Sequence, residues 1–302
     1  MLPLTSITVV SAVSVCATLM MLGRVPMFKQ RVITAIIMAA IFFALLLNLS
    51  AVDFSLAIGV MVLVAGWEWS NLMKVTSVSG KTLFLSLLVL SQATVGVWLG
   101  LFDSFDHQRA QQISLVAVAL WAIIFLWVQG YPSSAILWSS RYILGALGIL
   151  VLTFTWVAAA AILHNVSGQW LLLLAIVIVV LADVGGYFVG TLAGKHKLAP
   201  LVSPGKTWEG FAGGLLLQFV LIAGLLWALP DIATPTSLLL LVVPVALYSV
   251  LGDLFESMVK RHSGVKDSSQ LLPGHGGVLD RIDGIMAALP LFSLLLSLTR
   301  PF

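Results

Sequence analysis

Apolar residues run along this chain in blocks of about twenty, separated by short clusters of charged and helix-breaking residues. A bilayer core calls for ~20 predominantly apolar residues per helix, because hydrocarbon offers backbone groups no partner outside the helix itself. Ten segments meet that requirement: 4–22, 32–50, 54–73, 82–102, 112–131, 142–163, 169–192, 210–229, 237–254 and 284–299. The pattern predicts an all-α fold, a polytopic integral membrane protein with about ten transmembrane helices, or nine if the N-terminal extension is not counted.

Composition supports the pattern. Of 302 residues, 60% are hydrophobic and only 9% charged, against ~25% charged in soluble chains, so a water-facing globule is excluded. Cys16 is the single cysteine, which rules out an intrachain disulfide and a Cys-rich metal site. A net charge of +3 is too small to point to nucleic acid. Its distribution says more: counted by connection, thirteen of the fifteen Lys and Arg fall on one side, and only Arg109 and Arg300 on the other. Cytoplasmic loops carry the basic excess, so the odd-numbered connections are expected to face the cytoplasm. Segment 4–22 has no basic residue ahead of it and no small-residue cleavage site, which favours a spanning helix over a signal peptide. The chain is expected to divide into an N-terminal extension with an extra transmembrane helix (1–26), scaffold helices (27–168) and a transmembrane region whose two charge-rich cytoplasmic loops can build one site (169–302).

Charge is concentrated in the last of these. Between Asp183 and Asp283 lie eight of the twelve acidic and seven of the fifteen basic residues. Asp253, Glu256, Ser257, Lys260 and Arg261 fall at helical offsets that share one face. A solvated helix end with ordinary ion pairs would look similar, but apolar neighbours surround Asp253, and a carboxylate at membrane depth is costly without a partner. Next come Lys266-Asp267, the turn-forming Pro273-Gly274-His275-Gly276-Gly277, and Asp280-Arg281-Ile282-Asp283. Mg²⁺ takes one or two carboxylates plus substrate phosphates and water, so Asp253, Asp280 and Asp283 suggest metal-assisted phosphate chemistry. Pairing of Asp280 with Arg281 at a helix start is the competing reading.

The other charge-rich connection, 194–210, contains Gly205-Lys206-Thr207, but Pro200 stands where a nucleotide-binding P-loop needs its first Gly. What remains is Ser203, Lys206 and Thr207 near a helix start, where backbone N–H groups favour a phosphate; a helix cap beside a solvated lysine would account for them equally. Asp183, well inside an otherwise uncharged segment, is a functional candidate by its position. Glu68, between Trp67 and Trp69, is expected to anchor the membrane interface, and His107, His164 and His262 have no ligand-like spacing.

The 27-residue run from Ser257 to Asp283 resembles, without departure, the signature of the phosphatidate cytidylyltransferases, or CDP-diacylglycerol synthases. Leu251-Gly252-Asp253, the stretch from Ser203 to Gly210, and Ala182-Asp183 with Gly186-Tyr187 are also similar to that family, extending the resemblance over 27–302; residues 1–26 depart from it. The resemblance implies an enzyme that condenses CTP with phosphatidic acid to give CDP-diacylglycerol and pyrophosphate. It implies Mg²⁺ held by Asp253, Asp280 and Asp283, accompanied by a monovalent cation such as K⁺. Lys260, Arg261, Lys266 and His275 join the aspartates as catalytic residues. Ser203, Lys206, Thr207, Ser257, Asp267, Gly276, Gly277, Arg281 and Asp183 are the implied substrate contacts. The implied partners are the two substrates and membrane lipids, with a homodimer left open and no nucleic acid; the implied location is the bacterial inner membrane, with the site facing the cytoplasm.

Joining two polyanions calls above all for positive charge where negative charge accumulates. A phosphate monoester with a second pKa near ~6 is mostly dianionic at neutral pH, so no general base is required and His275 is expected to contact phosphate rather than accept a proton. Substrate tails that stay in hydrocarbon demand a groove open sideways to the bilayer. A transporter is the rival from another class, although it would place its charges near the midplane of related halves. A phosphatidyl-transferring enzyme that uses CDP-diacylglycerol is the enzymatic rival, and its Asp-Gly, Ala-Arg and spaced-Asp pattern is absent.

Overall fold

A computed structural model describes residues 27–228 and 234–299; segment 4–22 and the extension lie outside the described residues. The elements are α1 (Met27–Asn48), α2 (Ala51–Leu72), α3 (Val78–Trp98), α4 (His107–Gln129), a single turn α5 (Ala135–Trp138), α6 (Arg141–Leu163), α7 (Gly168–Ala193), β1 (Lys197–Ala199), β2 (Ser203–Thr207), α8 (Trp208–Ala228), α9 (Pro235–Ser263) and α10 (Leu279–Thr299). Among the described residues nine helices are long and apolar enough to cross a membrane, and the protein is an all-α polytopic membrane protein.

Several helix starts are fixed by a polar cap. Ser50, Ser77, Asp106 and Ser140 each accept from the backbone N–H three residues on, and Thr234 and Ser237 cap α9 reciprocally. Such caps satisfy donors that the first turn leaves orphaned. Helix α6 runs through the interior, buried almost continuously from Val151 to Leu163. Aromatic residues lock it and its neighbours together. Phe255 of α9 packs against Trp69 and Trp121 at ring separations of 5.9 and 5.5 Å, and the Trp156 indole donates to the Ser55 carbonyl at 2.8 Å. Large apolar side chains such as Leu83, Val97, Leu126 and Leu216 remain exposed on the outer faces, as expected where lipid rather than water is the solvent.

Three elements differ from the sequence pattern. The connection 194–207 folds into an antiparallel hairpin, with Lys197 opposite Thr207 and Ala199 opposite Ser203. Helix α9 continues past 254 to Ser263, and α10 begins at Leu279 rather than 284. Hydropathy sees only the membrane-embedded part of such helices; the two extensions carry the charged residues.

Both charge-rich connections meet at one end of the bundle. Arg261 Nε donates to the hairpin carbonyl of Val202 at 3.4 Å, Ser263 Oγ to the Leu72 carbonyl at 2.6 Å, and Thr34 Oγ1 to the Pro273 carbonyl at 3.1 Å. At the opposite end Gln169 reaches the Leu49 carbonyl at 3.3 Å, and Phe105 stacks on His164 at 4.3 Å.

Candidate active site

Helices α9 and α10 approach most closely at Gly252, where an added Cβ would collide with the Asp283 carbonyl and press on Gly284. That contact sets Asp253 beside Asp283. A second close seam, between Gly185 of α7 and Gly213 and Gly214 of α8, lets the backbones approach as small residues do in membranes and brings Asp183 toward the hairpin. The result is a cavity of about 520 Å³ whose polar part is formed by Asp183, Ser203, Lys206, Thr207 and Asp253, with apolar residues such as Phe211, Leu215 and Val250 forming the rest. Lys206 Nζ lies 2.5 Å from Asp253 Oδ2, and Ser257 Oγ donates to Asp253 Oδ1 at 3.2 Å. Asp283 lies within electrostatic reach of Asp253, Asp183 and Lys206. Three acids and one lysine therefore share a small region. Thr207 Oγ1 accepts from the Gly210 N–H at 3.1 Å and starts α8, and Glu209 takes the Lys195 and His196 N–H groups at 3.0 and 3.2 Å, closing the hairpin base.

Asp280 turns the other way. Its Oδ1 accepts from Lys260 Nζ at 2.6 Å, and its Oδ2 from Ser268 N, Ser268 Oγ and Gly277 N at 2.9, 2.8 and 2.7 Å. Glu256, fully buried one turn before Lys260, contacts the same ammonium. Among the described residues no three His, Cys, Asp or Glu side chains converge on a metal-sized point. The chemistry of the donor set fits Mg²⁺ in part: Asp253 and Asp283 supply the one or two carboxylates it takes, whereas Asp280 is occupied by four donors.

The cytidylyltransferase family model matches residues 29–299 of this chain. The chain belongs to the cytidylyltransferase family. Proteins named phosphatidate cytidylyltransferase are 40% identical to it in Haemophilus influenzae, over 88% of this chain and 98% of theirs, and 40% identical in Pseudomonas aeruginosa, over 89% and 97%. The one from Bacillus subtilis is 34% identical, over 89% and 98%. As a cytidylyltransferase the protein is a nucleotidyltransferase of phospholipid biosynthesis, and neither its family nor its one-ended charge favours the transporter alternative.

Within this cytidylyltransferase the remaining predicted residues spread along the loop side of the site. Lys266, Asp267 and Arg281 are exposed, and Arg261 is spent partly on the carbonyls of Val202 and Val265. Gly276 sits at φ +81°, in the left-handed region that glycine tolerates, and a side chain at Gly277 would collide with Ser268 and Glu68. Burial, with the cations Arg281 and Arg31 nearby, holds the His275 imidazole below its usual range, so it is uncharged at neutral pH. His275→Gln is expected to weaken substrate use and leave the acidic limb of the pH profile in place, because glutamine can still donate a hydrogen bond but cannot take up a proton. Disappearance of that limb, with a loss of ~10²- to 10⁴-fold, would make His275 a base.

Two acids of the site were not in the predicted set. Glu256 shares the face of Asp253 and Lys260, a signal legible in the spacing. Glu68 was expected at the membrane interface; it is instead fully buried and receives donors from residues 269–279. Its flanking tryptophans suggested the interface, and nothing local in the sequence links it to a loop two hundred residues away.

Proposed function

We propose that the protein transfers the cytidylyl group of CTP to phosphatidic acid, releasing pyrophosphate. The observation that carries this reading is the pairing of two adjoining cavities. Beside the polar one lies an apolar cavity of about 820 Å³, walled by residues that include Phe125, Tyr131, Leu201, Trp208, Leu247 and Leu254. Leu198, Phe211 and Val250 line both. The hairpin stands between them, with Ser203, Lys206 and Thr207 on the polar side and Ala199, Pro200, Leu201 and Val202 on the apolar side. Phe125, Leu201 and Trp208 are exposed on the outer surface, which supports a sideways opening for a substrate whose head must be wet and whose tails must stay in hydrocarbon.

In this reading an oxygen of the lipid phosphate attacks the α-phosphorus of CTP. The new O–P bond forms as the bond to the bridging oxygen breaks, and pyrophosphate leaves with that electron pair. Asp253 and Asp283 would hold Mg²⁺, which when bound neutralises phosphate charge and orients the phosphates. Lys206 supplies a positive charge at the cavity wall, and Ser203 and Thr207 supply hydroxyl donors beside it. Ser257 holds Asp253 in place. Asp280 and Lys260 keep the start of α10 against α9. The test is labelled CTP with phosphatidic acid in detergent and Mg²⁺. A lipid-soluble cytidine product is expected, and a purified, stable protein that forms none would overturn the reading.

We also place the site on the cytoplasmic side of the inner membrane, on the charge distribution. In a Cys16→Ser background, cysteine at Pro204 or Gln270, both exposed, should react with an impermeant reagent only from the cytoplasm. Cysteine at the exposed Asp103, at the other end of the bundle, should react only from outside. The reverse pattern would invert the orientation.

A further inference from the structure

Helix α10 carries Asp283 within electrostatic reach of Asp253, Asp183 and Lys206, yet its own sequence provides no cap. The residue before its first turn is Val278, whose carbonyl accepts from Arg281 and Ile282 N–H and whose side chain can accept nothing. Four backbone donors at a helix start need partners, and a buried donor left unpaired costs ~1 to 3 kcal/mol. The partner comes from α2. Glu68, 0% exposed, accepts from Leu279 N at 2.6 Å and Val278 N at 3.0 Å. It also accepts from Ser269 Oγ at 2.5 Å, while Ser268 Oγ, whose proton goes to Asp280, lies 3.4 Å away.

We propose that Glu68 is a positioning residue for catalysis: its carboxylate caps α10 from a distant helix and fixes where Asp283 stands relative to Asp253. A carboxylate suits the place for two reasons. It accepts on both oxygens, as the geometry requires, and its negative charge complements the partial positive charge at a helix N-terminus. The same carboxylate closes over Gly277, where an added Cβ would strike it, so it also holds the glycine turn that precedes the helix. Glu68 touches no substrate in this reading. It acts through the backbone of Val278 and Leu279, and a displacement of α10 by a fraction of an ångström is enough to matter, since ~1 Å of misplacement can cost ~10²-fold in rate.

The proposal rests on the assignment of Asp283 to the reacting centre, and its test carries a readout that does not depend on the substrates. In full-length protein in detergent, Glu68→Gln replaces one acceptor with a donor facing two N–H groups. Amide exchange at Val278 and Leu279 is expected to accelerate at least tenfold while exchange in α6 is unchanged. Turnover of CTP and phosphatidic acid is expected to fall ~10²-fold, with KM for each moving less than threefold. Adding Val278→Ser, whose hydroxyl can accept from the N–H groups two or three residues on, is expected to restore part of the turnover while exchange at 278 and 279 stays fast. Unchanged exchange at 278–279 in Glu68→Gln overturns the capping role. Accelerated exchange with normal turnover, or a loss confined to KM, overturns the positioning role. If Glu68→Gln does not insert stably, Glu68→Asp and Ser269→Ala carry the same two measurements, and normal exchange and turnover in both would sink the proposal. Absence of any cytidylyl transfer by the unaltered protein would count against the proposed function and leave the exchange result to decide the capping.

Discussion

Asp253→Asn and Asp283→Asn should each abolish most turnover while leaving the protein folded, and Asp280→Asn should differ from both. Asp253 lines the cavity with Lys206, and Asp283 lies within electrostatic reach of both, where the proposed reaction has to offset charge on the phosphates. Loss of one preorganised electrostatic contact in an active site costs ~10²- to 10³-fold in rate. The structural cost should be small at Asp253: its side chain and that of Lys206 are 26% and 24% exposed, and partly solvated ion pairs contribute little to stability. Asp280 receives four donors within the protein, so its amide variant puts an NH₂ group against N–H, O–H and ammonium donors. Loss of stability is therefore expected to lead at Asp280 and loss of turnover to lead at the other two. The comparison needs kcat per inserted molecule alongside thermal unfolding in detergent. Near-normal Mg²⁺-dependent turnover in well-folded Asp253→Asn and Asp283→Asn would remove them from the metal-binding role. Intact stability with lost turnover in Asp280→Asn would return Asp280 to the ligand set.

That contrast also marks what the sequence made legible. Ten segments with enough apolar length, and the basic excess in alternate connections, follow from hydropathy and charge alone; segment 4–22 lies outside the described residues, and among those the fold has nine such helices. The shared face of Asp253, Glu256, Ser257 and Lys260 followed from helical periodicity, because α9 runs unbroken to Ser263. Periodicity gave no reason to separate Asp280 from Asp283. Three residues apart at a helix start, they look like a pair, and only tertiary packing shows one facing Lys260 and the other Asp253. The hairpin escaped notice because its strands are three and five residues long, too short for a two-residue alternation to stand out beside Pro200 and Pro204. Glu68 was the least legible, since a cap supplied from another helix leaves no mark in the residues around either partner.

Lys260→Met should destabilise the protein more than any other single change at this end of the bundle. One ammonium serves two carboxylates here: Asp280 at 2.6 Å and the fully buried Glu256. Removing one partner of a buried ion pair costs ~3 to 5 kcal/mol, because the charge left behind remains out of water, and here two acid groups lose the same ammonium. Methionine preserves most of the stem that packs in the protein, so the loss reports charge rather than volume. If both acids depend on that ammonium, adding Glu256→Gln to Lys260→Met should recover part of the stability by removing one of two acids left beside each other, even though that change alone breaks the same pair. Such a sign reversal is the mark of coupled residues. Thermal unfolding of the four proteins in detergent decides the matter: losses that simply add, with the double variant lowest, would mean that Lys260 and Glu256 act independently.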